Sequence, residues 1–162
     1  MDPFRTLVEV SSMGILVHRD FKLLYANLAT ADAFGYETVS DLMAISSVRD
    51  LLQDHELIRM KGYHDARLRG EAVPEEYVLQ GKRPDNKELW MKNRPVVVEW
   101  EGEPAVCISM IIVTESVLAE KALAENEKRF RDFSLAAADW FWEMDEDLKF
   151  TYFSERQSEI TG

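Results

Sequence analysis

The sequence predicts an α+β domain built on a five-stranded antiparallel sheet, with helices on one face and a C-terminal linker helix. The clearest strand is the β-branched, apolar run 106–113, which follows Gly102 and Pro104. Residues 115–129 are rich in Ala, Leu, Glu and Lys and contain no Gly or Pro, which is a helix composition. Shorter helical stretches lie between the predicted second and third strands, so the helices are grouped in the chain.

The strand at 106–113 runs directly into the helix that begins at Glu115, with only Thr114 between them. A threonine hydroxyl at this position is expected to cap the first helical amides. Because no flexible turn separates the two elements, movement of the sheet should move the helix. We therefore interpret Trp90, Val113, Thr114 and Glu115 as a relay that passes conformational change out of the domain.

Turn residues and hydrophobic periodicity predict the remaining elements. Asn27 is a good N-cap, and Gly35 and Gly70 are good helix ends. The predicted helices span 4–10, 27–34, 38–44, 48–53 and 54–69, and the predicted strands span 14–18, 23–26, 77–80 and 89–100.

Composition excludes several classes of function. The formal net charge of −11 argues against nucleic acid as a partner, because phosphate binding needs a cationic surface. The single cysteine, Cys107, fits a reducing compartment, and no apolar run is long enough to enter a membrane. We expect a cytoplasmic location.

A weak internal repeat follows the linker helix. Residues 130–133 (FRDF) echo 4–7 (FRTL), and 149–154 (KFTYFS) echo 22–27 (KLLYAN). The sequence therefore predicts a domain at 1–114, a signalling helix at 115–129 and the truncated start of a second copy of the domain at 130–162. The alternative is that the aromatic residues after 130 pack on the first domain or on a partner chain.

Several short motifs resemble those of the PAS domain family. They are 14–22 (GILVHRDFK), 25–27 (YAN), 34–36 (FGY), 89–90 (LW), 99–102 (EWEG) and 113–114 (VT). The resemblance implies a PAS fold and a noncatalytic sensory module of a bacterial histidine kinase or cyclic-di-GMP signalling protein. One departure concerns the junction, where Ile112 replaces the acidic residue that helps to couple sheet and helix in relatives.

Strand alternation predicts which side chains face the long helix. Those on the two long strands, together with Met60 and His64 of the helix, would surround a mostly apolar cavity with one or two polar groups. The candidate small-molecule site is formed by Met60, His64, Met91, Asn93, Ile108 and Met110. The alternative is a packed core in which methionine fills the gaps.

The resemblance also suggests two cofactors to consider, flavin and haem. Flavin photoreceptors of the family need a reactive cysteine where this chain has Val48, and polar amides near Met91 and Met110, so a flavin photoadduct is not expected. Haem-binding relatives carry a histidine on the helix of His64, although their ligand falls nearer Arg59. The histidines at 18, 55 and 64 lack metal-ligand spacing, so no metal site is expected.

The outer sheet face and the linker helix favour a homodimer formed through the leading and linker helices. Trp90, Lys92 and Val96 face outward and need cover. A short heptad stripe runs along Ala119, Leu123, Asn126, Phe130 and Phe133. Three functions follow: a sensory relay that dimerises, a dimerisation spacer without ligand, or a haem-based gas or redox sensor. No catalytic constellation is present, so an enzyme is not expected.

Overall fold

The computed structural model describes residues 3–136, 142–144 and 150–153. The chain divides into two compact units, Met1–Thr114 and Glu115–Gly162. Within the described residues, no helix combines the length and the apolar character that crossing a bilayer requires.

The first unit contains four helices and five strands. The helices are α1 (Pro3–Glu9), α2 (Leu28–Phe34), α3 (Val39–Met43) and α4 (Leu57–Leu68), with 3-10 turns at Val48–Leu51 and Asp54–Glu56. The strands are β1 (Gly14–Arg19), β2 (Lys22–Ala26), β3 (Tyr77–Gly81), β4 (Leu89–Trp100) and β5 (Glu103–Ile112).

The five strands form one antiparallel sheet, as the sequence predicts, and their order in it is β2-β1-β5-β4-β3. The last strand therefore lies at the centre, where it pairs with β1 on one side and β4 on the other. The domain core lies on the inner face of this sheet, and its fully buried side chains include Leu16, Met91 and Met110. The central strand β5 ends at Ile112, two residues before the helix α5 (Thr114–Ala136) begins.

The hairpin between β1 and β2 closes through Asp20 and Phe21, which both have positive φ angles, 48° and 64°. Two consecutive positive φ values match the right-handed twist of the flanking strands, but they are unusual for a bulky residue such as phenylalanine. The carbonyl of Phe21 accepts hydrogen bonds from the Val48 N–H at 2.7 Å and from the Ser47 hydroxyl at 3.3 Å. These contacts hold the turn against the helical layer.

Asn27 caps α2 and also joins three elements of the fold. Its side-chain oxygen accepts hydrogen bonds from the Thr30 and Ile15 amides, and its amide nitrogen donates to the carbonyls of Val8 and Met13. The residue is completely buried. The N-cap and the helix end at Gly35, which has a φ of 77°, confirm the limits predicted for this helix.

The helix predicted over 54–69 is shorter and begins later than its hydrophobic pattern suggests. A 3-10 turn occupies Asp54–Glu56, because the buried Glu56 carboxylate turns away from the helix to accept the Gln80 N–H at 2.9 Å. Arg59 neutralises the same carboxylate with a 2.6 Å contact. This pairing fixes the start of α4 against β3, and thereby fixes which side chains α4 presents to the sheet.

The second unit is described only in part. Helix α5 runs without a break through residues 129 and 130, where the sequence predicts a boundary, and ends at Ala136. Strands β6 (Trp142–Met144) and β7 (Phe150–Phe153) pair antiparallel. A second PAS domain beginning at Phe130 is not shown, so it stays a prediction, and Trp140 and Phe141 lie outside the described residues.

Candidate functional site

A cavity lies between the inner face of the sheet and α4, and all six residues predicted for a ligand site line it. Met91 and Asn93 enter from β4, and Ile108 and Met110 from β5, because alternate residues of a strand share one face. Met60 and His64 enter from α4 one helical turn apart. Strand alternation and helical spacing therefore place these residues correctly, although their binding of a ligand remains a proposal.

The cavity is small. Its volume, counted as the space that the centre of a water molecule can reach, is about 40 Å³. Since roughly 10–15 Å³ of such space holds one water, the cavity has room for about three waters or a molecule of similar size.

His18, which the sequence analysis considered only as a metal ligand, also lines the cavity. It is 3% exposed, and it shares the inner face of β1 with Leu16, so the alternation used for β4 and β5 could have found it. Its ring lies 5.3 Å from that of His64, and both imidazoles contact the ring of Phe21, at 5.5 Å and 4.4 Å between centroids. The unusual hairpin turn thus places an aromatic ring against two buried histidines.

Three buried polar atoms of the cavity have no hydrogen-bond partner within the described residues: His18 Nδ1, His64 Nδ1 and Asn93 Oδ1. A buried polar group without a partner costs about 1–3 kcal/mol, so native proteins rarely leave one unpaired. The register places His18 beside Val106 and Asn93 beside Met110, four residues or about 13 Å apart along β5. The unpartnered polar atoms therefore lie at two separate points of a mostly apolar wall.

Burial controls the protonation of the two histidines. Burial, reinforced by the nearby His64, lowers the pKa of His18 to about 4. Burial also lowers the pKa of His64, although Asp65 and Asp20 oppose the effect. Both imidazoles are therefore neutral at pH 7. Burial likewise raises the pKa of Tyr77, which lines the cavity from β3.

The junction between sheet and helix is held by hydrogen bonds to the backbone of Trp90. The Val113 N–H donates to the Trp90 carbonyl at 2.9 Å, and the Trp90 N–H donates to the Thr114 hydroxyl at 2.9 Å. The hydroxyl was expected to cap the amides of α5, and this was wrong. It binds β4 instead, because Thr114 is already the first residue of the helix and lies beside Trp90. Glu115 follows as an exposed acidic residue of the first turn.

The comparisons with known proteins agree with this architecture. Residues 4–72 match the family model described as PAS domain. No curated protein matches the sequence. The crystal structure of a PAS domain from Desulfitobacterium hafniense is 21% identical and covers 67% of this chain and 99% of its own, with a TM-score of 0.58.

The first unit has the PAS fold, and residues 4–72 within it match the PAS domain family. A sensory box histidine kinase/response regulator from Burkholderia thailandensis is 17% identical, with 81% of this chain and 99% of that chain covered and a TM-score of 0.60. An RNA-binding light-oxygen-voltage receptor is 21% identical, with 77% and 36% covered and a TM-score of 0.60. At these identities the likeness shows the fold alone.

The cavity of this PAS domain does not suit the larger cofactors of the fold. A drug-sized ligand needs a pocket of about 300–1,000 Å³, which is far more than the volume of this cavity. Haem and flavin are at least as large as such a ligand, so they need a pocket of at least that volume. Val48, Met91 and Met110, at which the family resemblance would require the reactive or polar groups of a flavin site, line the cavity as apolar side chains. Within the described residues, no three His, Cys, Asp or Glu side chains converge as a metal site.

Proposed function

We propose that this PAS domain is a noncatalytic sensory module that relays the state of its cavity to α5. The observation that carries the proposal is the pair of hydrogen bonds that join Trp90 to Val113 and Thr114. The protein that contains it would be a cytoplasmic bacterial signalling protein of the histidine kinase or cyclic-di-GMP type, which the resemblance to PAS domains of sensor kinases supports.

The path from cavity to helix is short. Met91 lines the cavity, and its neighbour Trp90 holds the first residue of α5 through its backbone N–H. Trp90 is also oriented by its own indole N–H, which donates to the Glu88 carboxylate at 2.6 Å. A shift of Met91 along or out of the sheet must therefore move the backbone that positions Thr114. The substitution of Ile112 for an acidic residue removes a polar contact known in relatives but leaves this backbone connection intact.

Hydrogen exchange of the whole chain tests the relay. Thr114→Val keeps the shape of the side chain and removes the hydroxyl, which leaves the Trp90 N–H without its partner. Loss of about 1 kcal/mol of local stability should speed exchange of the Trp90 amide and the first turn of α5 several-fold.

Thr114→Ser is the matched control, because it keeps the hydroxyl and should exchange like the parent. Equal exchange in all three proteins at Trp90 and at residues 115–118 would show that the hydroxyl does not hold the helix to the sheet.

A second candidate is a dimerisation spacer, and exposed apolar side chains favour it. Val96 and Ile111 on the outer sheet face are each 51% exposed, and Leu7 and Val10 are exposed in and beside α1. On α5, Leu123, Phe130 and Phe133 of the predicted heptad stripe are exposed as well.

Light scattering of the parent chain and of a Leu123→Glu, Phe130→Glu double variant tests this candidate. A dimer that becomes a monomer in the variant supports a homodimer through the linker helix. A parent that is monomeric at all concentrations removes the spacer function. The absence of a nucleic-acid partner stays a prediction, based on the net charge of −11.

A further inference from the structure

The charge of the cavity wall is opposite to that of the protein. The chain carries a net charge of −11, yet no aspartate or glutamate is among the described residues that line the cavity. The ionisable groups that do line it include Arg67, His18 and His64, all of which are cationic when protonated. An anion inside this cavity would therefore meet only attractive or neutral groups.

The two histidines supply the place where an anion would bind. Both are more than nine-tenths buried, at 3% and 7% exposed, and each has an Nδ1 atom without a partner. A ligand oxygen that paired with these nitrogens would recover the cost of two unpaired buried groups. An anionic oxygen would gain more, because a charge-assisted hydrogen bond to an imidazolium is about twice as strong as a neutral one.

The size and polarity of the cavity restrict the rest of the ligand. Three waters occupy about 90 Å³ of liquid, which corresponds to about four or five non-hydrogen atoms. Apart from the histidines, Arg67, Tyr77 and Asn93, the wall is formed by apolar side chains such as Leu16, Val106 and Ile108. The ligand should therefore have one charged end and a short hydrocarbon end.

We propose that the cavity binds a short aliphatic monocarboxylate, with its carboxylate at His18 and His64 and its alkyl group among the apolar side chains. This rests on the sensory function proposed above, because it names the ligand class of the same cavity. Binding draws one proton from solvent onto one of the two imidazoles, since the adjacent anion stabilises the imidazolium. Only one is protonated, because two cations 5.3 Å apart would repel each other.

The same two histidines separate the cavity from the surface. A cleft of about 340 Å³ shares His18, His64 and Val106 with the cavity, so the imidazoles form the wall between them. Asp20 lies on the cleft side, with its carboxylate 3.9 Å from His64 Nε2, and is largely exposed. A ligand would enter from this cleft, whose charged lining residues are Arg19, Asp20 and Glu103.

Several charged groups surround the histidines and set the proton linkage. Lys61, Asp65 and Arg67 of α4 act on the pKa of His64, and Asp20 in the hairpin turn acts on the pKa of both histidines. The Arg49 guanidinium lies 4.3 Å from the centroid of the Phe21 ring, which contacts both imidazoles. Because burial outweighs these charges in the empty cavity, the proton arrives with the ligand rather than before it.

NMR titration of the whole chain with sodium propionate tests the proposal, with sodium chloride at equal ionic strength as the baseline. Propionamide is the matched neutral probe, because it has the same shape without the charge. We expect saturable shifts of the His18 and His64 ring signals with a millimolar or tighter Kd for propionate, and at least tenfold weaker binding of propionamide. The Kd for propionate should fall up to tenfold per pH unit between pH 8 and pH 6, since one proton binds with each ligand.

His64→Gln should weaken propionate binding at least tenfold and flatten its pH dependence, whereas His55→Gln should change neither, because His55 lies outside the cavity and is exposed. Thermal melts establish that both variants are folded. Equal binding of propionamide and propionate, or no saturable shift with either probe, would overturn the carboxylate proposal. Neither result touches the relay, which the Thr114 variants test without any ligand.

Discussion

Two sets of buried polar side chains in this PAS domain differ in how completely they are hydrogen-bonded. Around Asn27, the side chain makes hydrogen bonds to α1, β1 and α2, including contacts with Ile15, Thr30 and Val8 at 2.9–3.1 Å. Around His18 and His64, an equally buried pair leaves both Nδ1 atoms without a partner. The two groups lie in the same domain, so the difference is not one of overall packing quality.

The difference separates stability from function. A buried polar group with every bond made fixes how elements join, whereas one left open costs free energy until something binds to it. The Asn27 cluster holds the first strands and helices in place. The histidine pair instead forms part of a cavity whose third unpartnered atom, Asn93 Oδ1, faces the same space.

The largest effect should come from Asn27→Ala. The change removes an N-cap, worth about 1 kcal/mol. It also leaves the Ile15 amide and the carbonyls of Val8 and Met13 without the hydrogen bonds that they make to Asn27. We expect a loss of about 4 kcal/mol in the free energy of unfolding, measured by urea denaturation. Asn126→Ala, at an exposed position of α5, should change it by less than 0.5 kcal/mol, a roughly neutral surface effect. Similar small effects for both would show that the Asn27 hydrogen bonds contribute little.

Acid should weaken the fold through His18. Its pKa is about 4 in the folded protein against about 6.5 when unfolded, so the unfolded state binds more protons below pH 6.5. The stability that the neutral imidazole contributes is present above pH 6.5 and is lost as the pH falls towards 4, by about 3 kcal/mol. Urea denaturation at pH 7, 5.5 and 4.5 checks this.

The carboxylates also titrate at the acid end of that range, so the comparison is with a His18→Leu variant. Its stability should fall less steeply between pH 6.5 and 4.5 than that of the parent, while His55→Gln should follow the parent. Parallel curves for the parent and the His18→Leu variant would mean that His18 does not titrate abnormally.

The smallest effect should be a gain in stability. His64→Met replaces a buried imidazole whose Nδ1 has no partner with an apolar side chain of similar length beside Phe21 and His18, so it should stabilise the domain by about 1 kcal/mol. The exposed control, His55→Met, should be neutral within 0.5 kcal/mol, a common limit for surface changes. A loss of more than 1 kcal/mol in thermal or urea denaturation would show that His64 supports the fold and is not reserved for a ligand.

Much of this architecture could be predicted from the sequence because it follows from local chemistry. The limits of β4 and the cap and end of α2 follow from strand alternation, Asn27 and Gly35. The cavity residues on β4, β5 and α4 follow from the same periodicities. The start of α4 could not be predicted, because Glu56 leaves the helix to bind β3, a contact distant in sequence.

The two features that matter most for function depend on tertiary contacts. Strand alternation places His18 on the inner face of the sheet, but its contact with His64 depends on β1 lying beside β5 and on the turn at Phe21. The role of Thr114 was misassigned because its partner, Trp90, is 24 residues away in the chain. In both cases the residue type was visible in the sequence, but its partner was not.

The most direct test of the relay is whether a change in the cavity alters hydrogen exchange at the strand–helix junction. Exchange should be compared in the parent, His64→Met, Thr114→Val and the double variant, as a double-mutant cycle. We expect His64→Met to change the exchange of the Trp90 amide and of residues 115–118, and we expect the change to disappear when Thr114 is valine. Identical exchange at these amides in the parent and the His64→Met protein would contradict the relay.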